Sequence, residues 1–289
     1  MAGWHDLPIE LRIIILKQIV SNNIGGTTSR YAAVSKEWQI YFQPLNFRRL
    51  ILSQSCVPDF DRIVRQHRRG MLEHVWLRVE LARYNCPDCE YPERPFEARE
   101  NNQIFTAALY QLLKVLSAWK KGGRYGVANG GLVLELSAHS PSDCDHFTSS
   151  LDKGVYPHTY DEKCTNDEYR DYDSRSQQNT IHEVLYPNQD LATARASRFH
   201  GSLIKLDYAK VDIPKANKVL PAVLVVRRLL NRRQYPRSFH PDTLLKIFES
   251  LRGLEDMMLE HMIQNYPIFD KSTFHIKQAC LYIIQDNCL

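Results

Sequence analysis

Leu72-Glu73-His74-Val75-Trp76-Leu77-Arg78-Val79-Glu80-Leu81-Ala82 is the stretch whose reading decides the fold. Within residues 74–82 the residue types alternate. Val75, Leu77, Val79 and Leu81 fall on one side of an extended chain, and Trp76, Arg78 and Glu80 on the other. Period-two patterning of this length marks a strand buried on one face. Downstream, over residues 101–120, Ile104, Ala108, Leu112, Val115 and Leu116 make a helical stripe with Phe105, Leu109 and Trp119 beside it. Gly122, Gly123 and Gly126 break that helix, and Leu132, Leu134 and Leu136 open a second alternating strand. Residues 223–230 are a continuous aliphatic run, 242–252 read as a helix, and Leu254, Met257 and Leu259 as a final strand. Strand–helix–strand order predicts an α/β fold, a parallel sheet joined by right-handed crossovers.

Upstream of this body the pattern is helical. Residues 5–20 read as a helix with Asp6 and Glu10 near its positive end and Pro8 in its first turn. Leu7, Leu11, Ile13, Ile14, Ile15, Leu16, Ile19 and Val20 make it apolar over most of its circumference. A short helix of this kind must bury two faces, one against its own domain and one against a partner. Asn22, Asn23, Gly25 and Gly26 end it. A second helix is expected from Ser29 to Phe42, with Tyr31, Val34, Trp38, Tyr41 and Phe42 at helical spacing and Pro44 closing it. A third is expected over 58–69, with Phe60, Ile63 and Val64 inward and Arg62, Arg65, Arg68 and Arg69 outward. The division is therefore a helical module at 1–50 and an α/β body at 51–289. A polar, acidic insertion interrupts the body at about 141–200, carrying Asp143, Asp145, Asp152, Asp161, Glu162, Asp167, Glu168, Asp171 and Asp173. It reads as a solvated loop.

Composition narrows the class. At 44% hydrophobic and 24% charged residues the 289-residue chain is an ordinary globular one. A balance of 37 basic against 33 acidic residues is too even to predict a nucleic-acid or membrane partner. Seven scattered cysteines do not make a disulfide framework. No basic leader precedes an apolar segment, and the run Ile13–Leu16 is too short to span a bilayer. A reducing cytoplasmic or nuclear compartment, without membrane attachment, is the expectation.

Cys86-Pro87-Asp88-Cys89 is a single CxxC, whereas zinc needs four ligands; Cys144 with His139 or His146 completes a site only if folding gathers them. A redox pair belongs at a helix start, and Pro92 and Pro95 are expected to interrupt any helix there. Two unpaired thiols and no metal are the expectation. Arg227, Arg228, Arg232, Arg233 and Arg237 with Tyr235 form the sharpest basic cluster, and Arg62, Arg65, Arg68 and Arg69 a second. Either reads as a solvated face, with a nucleic-acid surface or an anchor for the acidic insertion as alternatives. There is no Walker loop, GxSxG elbow, HExxH pair or dinucleotide fingerprint, and His139, Ser140 and Asp143 are neighbours in sequence only. No enzyme activity and no cofactor are expected.

Leu7-Pro8-Ile9-Glu10-Leu11-Arg12-Ile13-Ile14-Ile15-Leu16, followed by Val34-Ser35-Lys36-Glu37-Trp38, resembles the F-box. That family opens with Leu-Pro, an acidic residue and Leu, continues with an aliphatic pair, and closes with Val and Trp four residues apart on a later helix. Leu7, Pro8, Glu10, Leu11, Ile15, Leu16, Val34 and Trp38 fill those places. The resemblance implies that these residues bind a Skp-type adaptor on a cullin scaffold. The body would then hold an unknown protein substrate, making the chain a receptor subunit of a ubiquitin ligase that directs protein degradation. Residues 41–50 and 75–81 are similar to a fungal group of F-box proteins with a degenerate leucine-rich-repeat-like α/β body. Leu72-x-x-Val75-x-Leu77 and Leu254-x-x-Met257-x-Leu259 both fit the core of such repeats, although the strands are irregularly spaced and 270–289 do not resemble a terminal cap. A parallel α/β sheet without repeat character stays open. So does a nucleic-acid-binding or general protein-interaction module without a ligase.

Overall fold

The computed structural model describes residues 3–22, 28–85, 88–123, 126–128, 130–143, 198, 203–212, 218–231 and 237–259. The turn expected at Asn23–Gly26, the insertion beyond Asp143 (Arg198 and the residues after 202 apart), and the end at 270–289 lie outside them.

A 3-10 turn, Trp4–Asp6, leads into helix α1, Ile9–Asn22. The amides of Leu11 and Arg12 both donate to the Pro8 carbonyl, at 3.1 and 3.2 Å. Pro8 thus precedes the first turn, where its missing N–H leaves no bond unmade. The helix expected at Ser29–Phe42 is two elements, a 3-10 turn at Ser29–Ala33 and helix α2 at Lys36–Arg48. Ser35 divides them: its backbone is extended and its hydroxyl accepts from the Trp38 amide at 3.3 Å, an N-cap. Pro44, expected to close the helix, lies inside it. It leaves the Ile40 carbonyl without its helical donor, but both residues are on the exposed side, where water can serve that oxygen.

Helix α2 runs directly into strand β1, Arg49–Leu52; then come α3, Val57–Ile63, a 3-10 turn at Gln66–Met71, and β2, His74–Glu80. The single helix expected at 58–69 is split where Gln66 takes a positive φ of 51°. Helix α4, Pro95–Ser117, starts six residues before the expected position. Pro95 opens this helix rather than interrupting it, and Glu97 accepts from the Arg94 amide at 2.8 Å to close the first turn. Strands β3, Leu132–His139, and β4, Val226–Asn231, helix α5, Pro241–Ser250, and strand β5, Asp256–Leu259, complete the described elements.

The fold is α/β. All five strands are parallel, and their order in the sheet is their order in the chain. Right-handed crossovers that step the same way put their helices on one face, and the described helices α3, α4 and α5 share one. A doubly wound sheet would reverse its strand order; this sheet never does, and the arrangement is the one that stacked repeats produce. Register aligns Leu50, Val75, Leu134, Leu229 and Met257 in one row, and Leu52, Leu77 and Leu136 in the next. These rows meet Phe60 of α3, Phe105, Leu109, Leu112 and Leu116 of α4, and Ile247 of α5 in a single core. Phe60 and Trp119 stack at 5.3 Å within it.

The opposite face carries Arg49, His74, Val133, Arg228 and Asp256 in one row and Ile51, Trp76, Glu135, Leu230 and Met258 in the next. Strand β2 was expected to be half-buried. Instead Trp76 is fully buried on this second face, its indole N–H donating to Ser137 Oγ at 2.8 Å. A central parallel strand is covered on both sides, which accounts for the difference. Leu77, central in the sheet and fully enclosed, reports on the core. Leu77→Ala is expected to cost about 2–5 kcal/mol, lowering the urea midpoint without changing the slope of the transition.

Candidate functional site: the N-terminal docking surface

Helix α1 is turned the wrong way round for a helix that belongs only to its own domain. Leu16 is its one buried residue, 2% exposed, with Arg12, Ile19 and Val20 half-buried along the same side. On the other side Leu11, Ile14 and Ile15, at i, i+3 and i+4, are 46%, 57% and 38% exposed. Residues at that spacing form one continuous ridge, so the apolar stripe that normally faces a core here faces solvent. Ile9 and Ile13 are exposed too, but at seven and three residues before Leu16 they lie on the Leu16 side of the helix.

The helix is tied to α2 at its start. The Trp4 indole N–H donates to Glu37 Oε2 at 2.9 Å, and Arg12 donates to the same oxygen at 2.7 Å. Trp4 packs on Trp38 at 5.3 Å, and Tyr31, Trp38 and Phe42 lie 5.4–6.2 Å from one another. The indole hydrogen bond is the largest influence on the Glu37 carboxyl; desolvation opposes it, and the Arg12 charge and hydrogen bond add to it, so the carboxyl is held below its ordinary value. The module joins the body through α2: Arg68 stacks over Phe47 at 5.0 Å, and Arg48 pairs with Glu73 at 2.8 Å.

The eight residues singled out by the motif fall into three environments. Pro8, Glu10, Leu11, Ile15 and Val34 are exposed, Leu7 and Trp38 are half-buried, and Leu16 is enclosed. Leu16 therefore belongs to the packing of the chain itself, as the anchor of α1, and not to a free surface. Val34, 60% exposed, precedes the Ser35 cap, so it does not share a helix with Trp38 as the motif implied. Ile14 and Ile40 are among the most exposed aliphatic residues, yet the motif did not mark them. The signal for Ile14 was present in the all-round apolar character of α1, which does not say which side faces out; Ile40, on α2, had no such signal.

In the body a knot of buried charge sits at the carboxyl ends of β2 and β3 and the start of α4. Arg237 is wholly enclosed between Glu93, to which it donates, and Asp143 at 3.6 Å. Tyr84 donates its O–H to Asp143 at 2.7 Å. Arg198 lies 3.8 Å over the Tyr84 ring and donates to the Asp88 and Tyr91 carbonyls and to Glu97. Burial alone would lower the Arg237 pKa, but Asp143 and Glu93 outweigh it and keep the guanidinium charged. Burial, with the Asp143 charge, pushes the Tyr84 phenol up. A cleft of about 200 Å³ beside the knot is lined by Arg83, Arg94, Phe96, Glu97 and Arg198, among others. Arg94 pairs with Asp88 and Glu97, and Arg198 with Glu97, so most of that charge is already spoken for.

The knot removes Arg237 from the basic cluster expected at 227–237. Arg227 and Arg228 pair with Glu255 and Asp256 at 2.8 and 2.5 Å; Arg232, Arg233 and Tyr235 lie outside the described residues. The second cluster also serves its own chain. Arg62 pairs with Asp59, Arg65 and Arg68 donate to the Asp61 and Ile63 carbonyls, and Arg69 lies over Trp119 at 4.9 Å. Ser140 donates to the Ala82 carbonyl, which parts it from any catalytic pairing with His139. Cys89 is buried and Cys86 lies outside the described residues; among those described, no three or more His, Cys, Asp or Glu side chains gather as a metal site. No described helix is long and apolar enough to cross a membrane.

Compared with protein-family models, with curated proteins and with solved structures, the chain finds no match. The geometry of its own residues therefore carries the functional reading.

Two outcomes are expected. Glu93→Gln, which leaves Arg237 buried with one neutral partner, should destabilise the body by about 3–5 kcal/mol in chemical unfolding. Because the folded-state pKa of Glu37 is depressed, its contribution is present above the ordinary carboxylate range and is lost as pH falls through the lowered value. The Trp4 indole N–H resonance should therefore shift over that acid range in wild type and stay flat in Glu37→Gln.

Proposed function

We propose that this chain is a non-catalytic receptor subunit of a ubiquitin ligase, docking on a Skp-type adaptor of a cullin scaffold through its N-terminal module. Its α/β body holds a target protein. One observation carries the reading: Leu11, Ile14 and Ile15 form an exposed aliphatic ridge on a helix whose opposite side is already used. Removing such surface from water is worth roughly 25 cal/mol per Å², and a few anchors of this kind dominate the affinity of a helix-in-groove interface. Leu11, Ile15 and Val34 are both marked by the motif and exposed, and Ile14 is exposed beside them, which supports a docking role for these four.

The receptor needs no catalytic residues of its own. It raises the local concentration of a target beside an active site that another subunit supplies. Affinity-tagged full-length chain is expected to recover the adaptor, and Leu11→Ala/Ile15→Ala to lose most of it, while Leu16→Ala loses folding stability as well. Equal adaptor recovery from wild type and the Leu11→Ala/Ile15→Ala protein, or none from either, contradicts the proposal.

A further inference from the structure

The half of α1 that carries the ridge is held to α2 chiefly through one carboxylate oxygen. After Leu16 the helix is seated on apolar contacts, with Ile19 and Val20 half-buried. Before Leu16 the same side is not packed: Ile9 and Ile13 are 55% and 39% exposed there. Arg12, one turn before Leu16, is the exception. Its side chain is 19% exposed, and its guanidinium meets Glu37 Oε2 at 2.7 Å. The Trp4 indole N–H donates to that same oxygen at 2.9 Å, so the turn preceding the helix shares the fixture.

Leu16 and Arg12 lie on one side of the helix, one turn and thus about 6 Å apart along its axis. Leu16 alone is a pivot. Leu16 together with a bonded Arg12 sets the tilt of the first two turns, and with it the position of Leu11, Ile14 and Ile15. Glu37 is itself well placed to hold them. It stands in the first turn of α2, just after the Ser35 cap, and its neighbour Trp38 packs on Trp4 at 5.3 Å. A partly exposed ion pair of this kind contributes little to stability. What it controls here is the orientation of a helix end with little else to hold it.

We propose that Glu37 is a positioning residue for adaptor docking, holding the ridge ready through Arg12 and Trp4 without itself touching the adaptor. This deepens the docking reading of the same surface and rests on it. A helix end already set at the docking angle binds without first being ordered. Releasing it slows association, whereas removing a contact such as Leu11 or Ile15 hastens dissociation.

The test measures association and dissociation rates of a purified Skp-type adaptor on the full-length wild type, Arg12→Met, Glu37→Gln and the double variant. Each single change is expected to slow association about fivefold and leave dissociation unchanged. The double variant should be no slower than the slower single, because both changes remove one fixture. Electrostatic steering gives another pattern: losing a positive and losing a negative charge then move association in opposite directions. Thermal unfolding checks each variant. If Glu37→Gln does not fold, Trp4→Phe, which keeps a ring on Trp38 and loses the N–H, carries the test with an expected slowing of about twofold. The inference alone is overturned if wild type binds and the variants associate as fast, if the two changes act in opposite directions, if their effects multiply, or if only dissociation changes. Wild type that does not bind the adaptor at all overturns the docking reading, and this inference with it.

Discussion

An aliphatic ridge cannot be left to water on a helix without cost, and in this protein Leu11, Ile14 and Ile15 are left there. Helix α1 touches its own chain through Leu16, a half-buried flank, and the bond of Trp4 and Arg12 to Glu37. That is enough to set the helix at a fixed angle on α2, and too little to cover it. The Ser35 cap and the Tyr31–Trp38–Phe42 stack give the module its rigidity. A rigid apolar surface loses little entropy when a partner settles on it. These features support docking on a foreign subunit, and a purely internal role for the helix leaves the exposed ridge without a reason.

The body is a different physical object. Its sheet advances one strand at a time, so one face belongs to the helices and the other is built from Arg49, His74, Trp76, Arg78, Glu135, Ser137 and His139. The buried charges around Arg237 then fix Tyr84, Asp88, Tyr91 and Glu93, which follow β2, against the end of β3 and the start of α4. Ion pairs this deep contribute less to net stability than apolar packing of the same volume would, but each partner is costly to remove alone. They specify one arrangement of segments far apart in the chain.

Much of this was legible in the sequence. Period two at 74–82 and the helical stripe at 101–120 located β2 and α4, and strand–helix–strand order gave a parallel sheet. The opposite-face burial of Trp76 was not legible, because alternation at residues 74–80 looks the same whether the polar side meets water or protein. Proline misled twice. Pro44 was expected to end a helix it sits within, and Pro95 to interrupt one it begins; the difference lies in whether a donor is needed at that turn, which only the fold decides. Arg237 counted as surface charge because its partners, Glu93 and Asp143, are distant in the chain. The motif at 7–16 falls largely on α1, but it could not separate Leu16, which is enclosed by the chain itself, from Leu11 and Ile15, which are exposed.

The central claim is that the outward side of α1 is completed by another protein. Amide hydrogen exchange of the full-length chain, alone and with a purified Skp-type adaptor, reads this at residues 9–22 directly. The account expects rapid exchange in free α1 and strong slowing on addition of the adaptor, with the sheet strands unchanged. Exchange in α1 that is already slow in the free protein, or that the adaptor leaves as it was, would contradict it.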